Sequence, residues 1–245
     1  MNNHPALAAC IAAVRAELAT AAMRASRPAD AVTLLAVTKN VPIEAIQAAY
    51  DLGLRDFGEN RMQEAQRKLA ALDLPGARWE LIGHLQTNKV REAAALFARV
   101  QSVDSVRLME RLDAQATRLD RVMPILLEVN AGEEASKLGF TPDDVLDAAR
   151  TLTRFAHLRA EGLMTVAPIG DEQVVRPVFA RMRALRDTLR AQVPQQGTGT
   201  DGGWDVLSMG MSDDYATAVE EGATLVRIGR GIFGPRAARG PEAKE

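Results

Sequence analysis

Thr33-Leu34-Leu35-Ala36-Val37-Thr38-Lys39 is the stretch of this chain that decides its fold. The apolar run between its two threonines, closed by Asn40 and Pro42, is typical of a strand that is buried on both faces, as in a parallel sheet. The lysine that ends the stretch either reaches water along its stem or points into a pocket, where desolvation lowers the pKa of the amine and makes it a nucleophile. The stretch alone leaves both interpretations of Lys39 open.

Around this strand, short apolar runs alternate with segments of helical periodicity. An amphipathic helix at residues 5–27 comes first, and seven further strands follow with a helix after each. Because strands that alternate with helices pair in parallel through right-handed crossovers, eight such units in 245 residues predict a single (β/α)8 TIM barrel of the α/β class. A doubly wound open sheet is the main alternative, although no dinucleotide-binding glycine motif follows the first strand. The strands are predicted at residues 33–39, 54–59, 79–83, 100–103, 124–129, 158–164, 204–207 and 225–228.

The chain is expected to form one domain with two accessory segments. The barrel is predicted at residues 31–236, with the N-terminal helix of residues 1–30 packed on it and a flexible polar tail at residues 237–245. The glycine-rich and polar segment 194–203 predicts a mobile loop before the seventh strand, on the barrel face away from the chemistry.

Composition narrows the class of function. The hydrophobic content of 47% allows a large core, and a formal net charge of −2 with scattered basic residues argues against nucleic acid or an anionic membrane as a partner. The single cysteine, Cys10, excludes an intrachain disulfide and a cysteine-based metal cluster. Because the first residues lack a basic segment, and Arg15 and Glu17 interrupt the apolar stretch that follows, we predict neither a signal peptide nor a membrane span, and hence a cytoplasmic protein.

The functional groups of a TIM barrel lie at the carboxyl ends of its strands. Residues 208–212 follow the seventh predicted strand and residues 229–231 the eighth, which is where such barrels collect backbone N–H groups for a phosphate. Alternatively, these glycines only serve tight strand-to-helix turns. A phosphate site with a pocket-facing lysine indicates a phosphorylated aldehyde held as a Schiff base, and pyridoxal 5′-phosphate (PLP) fits. The residues at the other strand ends are Lys39, Glu59, Asn60, His84, Asp104, Asn130, Met164 and Thr165.

Five motifs together resemble those of a known family. They are similar to the pyridoxal phosphate homeostasis protein family, whose members are small single-domain relatives of the alanine racemase N-terminal barrel, of PLP fold type III. The resemblance covers residues 30–236. The motifs are Ala36-Val37-Thr38-Lys39, Phe57-Gly58-Glu59-Asn60, Ile82-Gly83-His84-Leu85-Gln86-Thr87-Asn88-Lys89, Leu207-Ser208-Met209-Gly210-Met211-Ser212-Asp213-Asp214 and Val226-Arg227-Ile228-Gly229-Arg230-Gly231-Ile232-Phe233-Gly234.

The resemblance implies how the cofactor ring would be held. Lys39 would form the Schiff base, Asn60 would lie near the ring oxygen, and Arg227 would face the pyridine nitrogen. Because an arginine does not give up its proton to the ring, the pyridine nitrogen would stay largely unprotonated. The cofactor would then be a poor electron sink.

The resemblance also implies a set of phosphate contacts. Ser208 and the backbone amides of Gly229 and Arg230 would hold the phosphate, with Ser212 as a helper. Arg230 stands where many members of the family have threonine, so only its backbone amide is assigned this role. In the third strand, Glu80 stands where histidine is usual.

Two further residues are candidates for the cofactor site. His84 ends the third strand within a matching motif, where it lies near the pocket or is a hydrogen-bonded structural histidine. Met164, at the end of the sixth strand, contacts the cofactor ring or packs in the core.

Three functions compete for such a site. An amino-acid racemase needs a second base, usually a tyrosine, but Tyr50 and Tyr215 both fall within predicted helices. A Schiff-base aldolase would need an acid/base pair at the barrel mouth and does not account for Arg227. We therefore favour a protein, rather than an enzyme, that holds PLP on Lys39 without strong catalysis and serves vitamin B6 and amino-acid homeostasis. A racemase or other PLP enzyme is the alternative. PLP-dependent apoenzymes are the implied partners, and a monomer or weak dimer is expected.

Overall fold

Eight parallel strands close into a barrel in the computed structural model, which describes residues 4–134, 137–193 and 203–235. Strands that follow each other along the chain are neighbours, and the first pairs with the last. The predicted (β/α)8 barrel with an extra N-terminal helix is confirmed. The strands are β1 (Thr33–Val37), β2 (Asp56–Glu59), β3 (Arg78–Leu81), β4 (Arg99–Val103), β5 (Met123–Glu128), β6 (Leu158–Met164), β7 (Val206–Ser208) and β8 (Leu225–Ile228).

A helix follows each strand, and short 3₁₀ segments at Thr87–Lys89 and Thr151–Arg154 adjoin two of them. The predicted tail at 237–245 and the predicted mobile loop, apart from Gly203, lie outside the described residues. The helices are α1 (Pro5–Arg24), α2 (Ile43–Asp51), α3 (Met62–Ala71), α4 (Val90–Leu96), α5 (Val106–Arg118), α6 (Asp144–Arg150), α7 (Glu172–Gln192), α8 (Tyr215–Glu220) and α9 (Arg230–Phe233).

The N-terminal helix α1 packs against α8 and α9. Its buried face includes Ile11, Val14 and Leu18. Beyond its end, the Arg27 guanidinium donates to Val219 O (2.7 Å) and Ala223 O (2.8 Å), which ties the chain to the end of α8 before β1 begins. By length and mean hydropathy (1.6) α1 also qualifies as a membrane span, a property that core helices of water-soluble proteins share.

Alternate residues of the strands face the helices and the barrel lumen. The outward residues form the large core between the barrel wall and its helices, whereas Leu35, Val37 and Leu225 form a separate cluster with Ile82 and Val206. These residues come from β1, β7, β8 and the position after β3, so the cluster packs in the lumen. In a barrel whose lumen holds packed side chains, ligands bind at the mouth, beyond the carboxyl ends of the strands.

Candidate functional site

Lys39 lies at the corner of a tight turn directly after β1. The strand ends at Val37, two residues earlier than predicted, because Val41 N donates to Thr38 O (2.9 Å) and Asn40 adopts a left-handed φ of 59°. Asparagine tolerates this conformation better than most residues. The turn therefore places Lys39, partly buried, at the carboxyl end of the barrel.

A cavity of about 170 Å³ lies beside this turn. One part of its wall comprises Lys39 and the start of α2, and the other comprises Gly229 and Arg230 of the segment after β8, with Phe233 of α9. The pairing of β1 with β8 brings these two segments together across the closure of the barrel. Lys39 and the backbone of the loop after β8 thus border the same space.

Hydrogen bonds join the loop after β7 to the segment after β8. Gly231 N donates to Ser212 Oγ (3.3 Å). The Arg230 side chain is exposed and forms an ion pair with Asp213 at the surface. The guanidinium of Arg230 is thus engaged at the surface, and a phosphate contact by its backbone amide stays a prediction.

A chain of hydrogen bonds crosses the lumen beneath the mouth. Arg227 Nη1 donates to Ser208 Oγ (2.6 Å), Ser208 Oγ to Gln101 Oε1 (2.6 Å), and Gln101 Nε2 to Glu80 Oε2 (2.6 Å). Glu80 also pairs with Arg99 (2.7 Å). Because β4 and β7 are not neighbours, the bond from Ser208 to Gln101 spans the lumen. The fully buried Ser208 hydroxyl is engaged on both sides, so a phosphate contact through it would require one of these bonds to break.

Arg227 is a buried cation. Only 4% of it is exposed, and besides Ser208 it donates from Nη2 to Thr165 O (2.7 Å). Burial lowers the pKa of its guanidinium to about 10, although the charges of Glu128 and Asp214 act in the opposite direction. Since that pKa is still well above neutrality, Arg227 keeps its proton in the lumen. Its two hydrogen bonds within the described residues use two of its five N–H donors.

Asn60 follows β2 and is placed by a close approach of two loops. A Cβ on Gly83 would lie 2.2 Å from Asn60 O, so only glycine at position 83 lets the loop after β3 touch the loop after β2. The Asn60 Oδ1 atom is buried and has no hydrogen-bond partner among the described residues. Asn60 therefore has unused hydrogen-bonding capacity at the mouth.

His84 is half exposed and pairs with the residue that follows β4. Its Nδ1 atom lies 3.2 Å from Asp104 Oδ2, and the exposed fractions of the two side chains are 49% and 12%. This pair stands at the rim of the mouth. A cofactor contact by His84 stays a prediction.

Glu128 is a mouth residue that the sequence analysis missed. It ends β5, in register with the buried Met164 at the end of β6, and its neighbours Leu127 and Val129 face the helices. Its side chain therefore faces the lumen. Burial and the charge of Asp104 raise its pKa to about 6, against the effects of Arg227 and His84. The strand had been predicted to run one residue further, which drew attention to Asn130 instead; a carboxylate that ends an apolar strand was the available signal.

Stability should depend on pH through Glu128. Its pKa of about 6 in the folded protein exceeds its ordinary value of 4.5, so its contribution is full below pH 4.5 and is lost as the pH rises through 6. We expect the free energy of unfolding of the wild type, minus that of Glu128→Gln, to fall by about 2 kcal/mol between pH 4 and 7. Urea unfolding of both proteins across this range measures it. A difference that stays constant with pH would contradict this assignment.

Relatives of known name cover nearly the whole chain. Residues 10–237 match the model of the alanine racemase N-terminal domain family. The pyridoxal phosphate homeostasis protein of Pseudomonas aeruginosa is 42% identical over 228 residues, which make up 92% of this chain and 94% of that protein. The chain belongs to the pyridoxal phosphate homeostasis protein family. The family resemblance inferred from the motifs is thus confirmed.

Other pyridoxal phosphate homeostasis proteins match this chain over a similar length. Those of Pasteurella multocida and Escherichia coli K12 are 37% and 36% identical over 230 residues, covering 92% of this chain and 96% and 95% of theirs. Among solved structures, PipY of Synechococcus elongatus without PLP has a TM-score of 0.79 at 40% identity, covering 89% of this chain and 99% of PipY. PipY has also been solved with PLP bound (TM-score 0.76, 39% identity, the same coverage). Alanine racemase of Clostridium difficile (TM-score 0.69, 11% identity, 84% of this chain and 53% of that one) shares the fold.

Proposed function

We propose that this protein binds PLP, holds it as a Schiff base on Lys39 and serves vitamin B6 and amino-acid homeostasis in the cytoplasm without strong catalysis. The observation that carries the proposal is the cavity that Lys39 shares with Gly229 and Arg230. PLP is the proposed ligand because the relative PipY has been solved with PLP bound. PLP-dependent apoenzymes are the proposed recipients, and a monomer or weak dimer is the proposed working form.

The residues at the mouth fit the functional groups of PLP. The unpartnered Asn60 Oδ1 suits the ring oxygen with its proton, and Arg227 offers N–H donors to the pyridine nitrogen. We assign the phosphate to Ser212 and the backbone around Gly229, because Gly229 borders the cavity beside Lys39 and Ser212 accepts a hydrogen bond from Gly231 N. When bound, PLP would supply an aldehyde, and Lys39 would supply the amine that condenses with it, with water as the second product.

Tyr50 and Tyr215 are the tyrosines that could act as the second base of a racemase. The Tyr50 hydroxyl donates to Pro75 O (2.7 Å), and the Tyr215 hydroxyl donates to Glu17 Oε2 of α1 (2.8 Å). Both phenols are therefore held by groups outside the lumen. Burial also raises the pKa of Tyr215 above its ordinary range. Neither is placed to take a proton from a substrate at the mouth, which supports holding over racemisation.

A second candidate function is acid/base chemistry on an amino acid. Glu128 favours it, because a lumen-facing carboxyl with a pKa of about 6 can both give and take a proton near neutrality. Incubation of the loaded protein with single enantiomers of several amino acids decides between the two functions. Sustained racemisation or decarboxylation would favour the enzyme.

Reduction of the complex tests the proposed function. Wild-type protein mixed with PLP should turn yellow, and borohydride should fix one PLP on Lys39, which peptide mass mapping distinguishes from the other four of the five lysines. A protein that stays colourless after reconstitution, or that carries PLP on another lysine, would refute the proposal.

A further inference from the structure

Beneath the Lys39 turn, α3 contributes a buried lysine. Only 2% of the Lys68 side chain is exposed. Its Nζ atom donates to Thr38 O (2.5 Å), Glu59 Oε1 (2.7 Å) and Glu64 Oε1 (2.6 Å). These contacts use all three donors of the ammonium group. We call Lys68, Glu59, Glu64 and Thr38 the Lys68 network.

The Lys68 network holds the peptide groups on both sides of Lys39. The carbonyl of the preceding peptide, Thr38 O, accepts from Lys68, and the N–H of the following peptide, Asn40 N, donates to Glu64 Oε1 (2.6 Å). Because peptide groups are planar, fixing these two planes fixes both backbone dihedral angles of Lys39. The Lys68 network thus determines the direction in which the Lys39 side chain leaves the backbone.

A further bond anchors the Lys68 network to β1 and β2. Thr38 Oγ1 donates to Glu59 Oε1 (2.6 Å), and Glu59 is fully buried. The strand residues next to them, Val37 and Gly58, are paired in register. Since Val37 faces the lumen, Thr38 and Glu59 face α3 instead. The network therefore lies behind the barrel wall and reaches the cavity only through the Lys39 turn.

The pKa values of the two carboxyl groups are shifted in opposite directions. Burial raises the pKa of Glu59, against the hydrogen bonds from Lys68 and Thr38. Burial acts in the same direction on Glu64, but the hydrogen bonds from Lys68 and Asn40 N–H outweigh it and lower its pKa. Glu64 is therefore ionised at neutral pH. An ionised acceptor makes the stronger hydrogen bond to the Asn40 amide.

Stability alone is a weak explanation for such a cluster. Buried ion pairs recover little more than the cost of desolvating them, and apolar residues of similar volume often serve as well. What apolar residues could not do is accept from Asn40 N–H and donate to Thr38 O. The contacts of the cluster with the turn are thus its distinctive property.

We propose that Lys68 and Glu64 are positioning residues for Lys39, which fix its backbone so that its amine enters the cavity in one direction. The proposal rests on the proposed role of Lys39 as the lysine that bears PLP. A misplacement of about 1 Å at a reacting group can cost about a hundredfold in rate. Loss of the Glu64 contact should therefore slow bond formation between Lys39 and PLP without removing any group that touches PLP.

Variants of Glu64 test the proposal, because its side chain is 12% exposed and its loss is tolerated better than that of Lys68. Glu64→Ala removes the acceptor for Asn40 N–H, whereas Glu64→Gln keeps an oxygen in that place. Gln66→Ala is the matched control, an exposed residue of the same helix. All three are made in the full chain.

Two measurements are needed. Amide hydrogen exchange of Asn40 in the protein without PLP should be faster by about tenfold or more in Glu64→Ala, and close to the wild type in Glu64→Gln and Gln66→Ala. After mixing with PLP, the rate of the absorbance change should fall by about 10- to 100-fold in Glu64→Ala, while Glu64→Gln should stay within about threefold of the wild type.

The outcomes separate this proposal from the proposed function. If Glu64→Ala frees the Asn40 amide but reacts with PLP as fast as the wild type, the positioning role is refuted and the role of Lys39 stands. If Glu64→Gln protects the Asn40 amide like the wild type but reacts as slowly as Glu64→Ala, the charge rather than the contact with the turn matters, and the positioning role is again refuted. A wild type without an adduct on Lys39 refutes both proposals.

Discussion

A Lys39→Ala variant should form no borohydride-stable adduct with PLP and should bind it at least about a hundredfold more weakly, a loss of about 2.8 kcal/mol. The amine that is proposed to form the covalent bond would be absent, and only the proposed contacts of Arg227, Asn60 and the segment after β8 would remain. Equilibrium dialysis gives the residual affinity, and mass spectrometry after reduction gives the adduct.

Lys89→Ala is the matched control for this loss. Lys89 ends the 3₁₀ segment after β3, within one of the family motifs, and it does not border the cavity beside Lys39. This variant should keep the adduct at the level of the wild type. Equal thermal unfolding of the two variants would show that the barrel is intact in both. An adduct that persists in Lys39→Ala would move the attachment point to another lysine and remove the basis for the proposed function.

Much of the barrel could be predicted because each strand is specified locally. The bounds of β6 (Leu158–Met164) and β8 (Leu225–Ile228) agree with the prediction to the residue, since a compact apolar run defines each. The end of β1 was wrong by two residues. Its apolar run is equally clear, but the turn that ends it depends on the conformation of Asn40, which composition does not specify.

The candidate site was predictable only where the rule of strand ends applies. Lys39, Arg227 and Gly229 were selected because they lie at or just after strand ends, and barrel closure brings those ends together. Ser208 was selected by the same rule, but the partner of its hydroxyl could not be predicted. Its partner Gln101 is 107 residues away on a strand that is not a neighbour, so their bond exists only in the closed barrel.

The burial of Lys68 could not be predicted from the sequence for a related reason. Glu64 and Lys68 are four residues apart on a largely polar helix, a pattern that ordinarily indicates a solvated surface pair. Lys68 is buried because its partners Glu59 and Thr38 lie beneath α3. The register between β1 and β2 places both residues there. Local periodicity predicts which residues face the barrel wall, but it does not predict that a charged residue there meets partners from two strands.

Replacing Lys68 by Met should lower the free energy of unfolding by about 3–5 kcal/mol at pH 7, measured by urea unfolding without PLP. Methionine fills a similar volume, but it leaves the buried carboxylate of Glu59 without its cation and Thr38 O without that donor. Arg67→Met is the matched control. It changes a cation on the exposed face of the same helix, and its effect should stay within about 0.5 kcal/mol.

The cause of this loss can be tested with pH and a second substitution. Without Lys68, the pKa of Glu59 should rise further above its ordinary value, and a carboxyl with a raised pKa loses stability as the pH rises through that pKa. The deficit of Lys68→Met should therefore be smaller at pH 5 than at pH 7. Glu59→Gln, which keeps an acceptor for Thr38 Oγ1, should recover part of the loss in the double variant. The loss of unfolding free energy in Lys68→Met could instead be independent of pH and additive with that of Glu59→Gln. That result would mean that lost packing, not the unpaired Glu59 carboxylate, destabilises the variant.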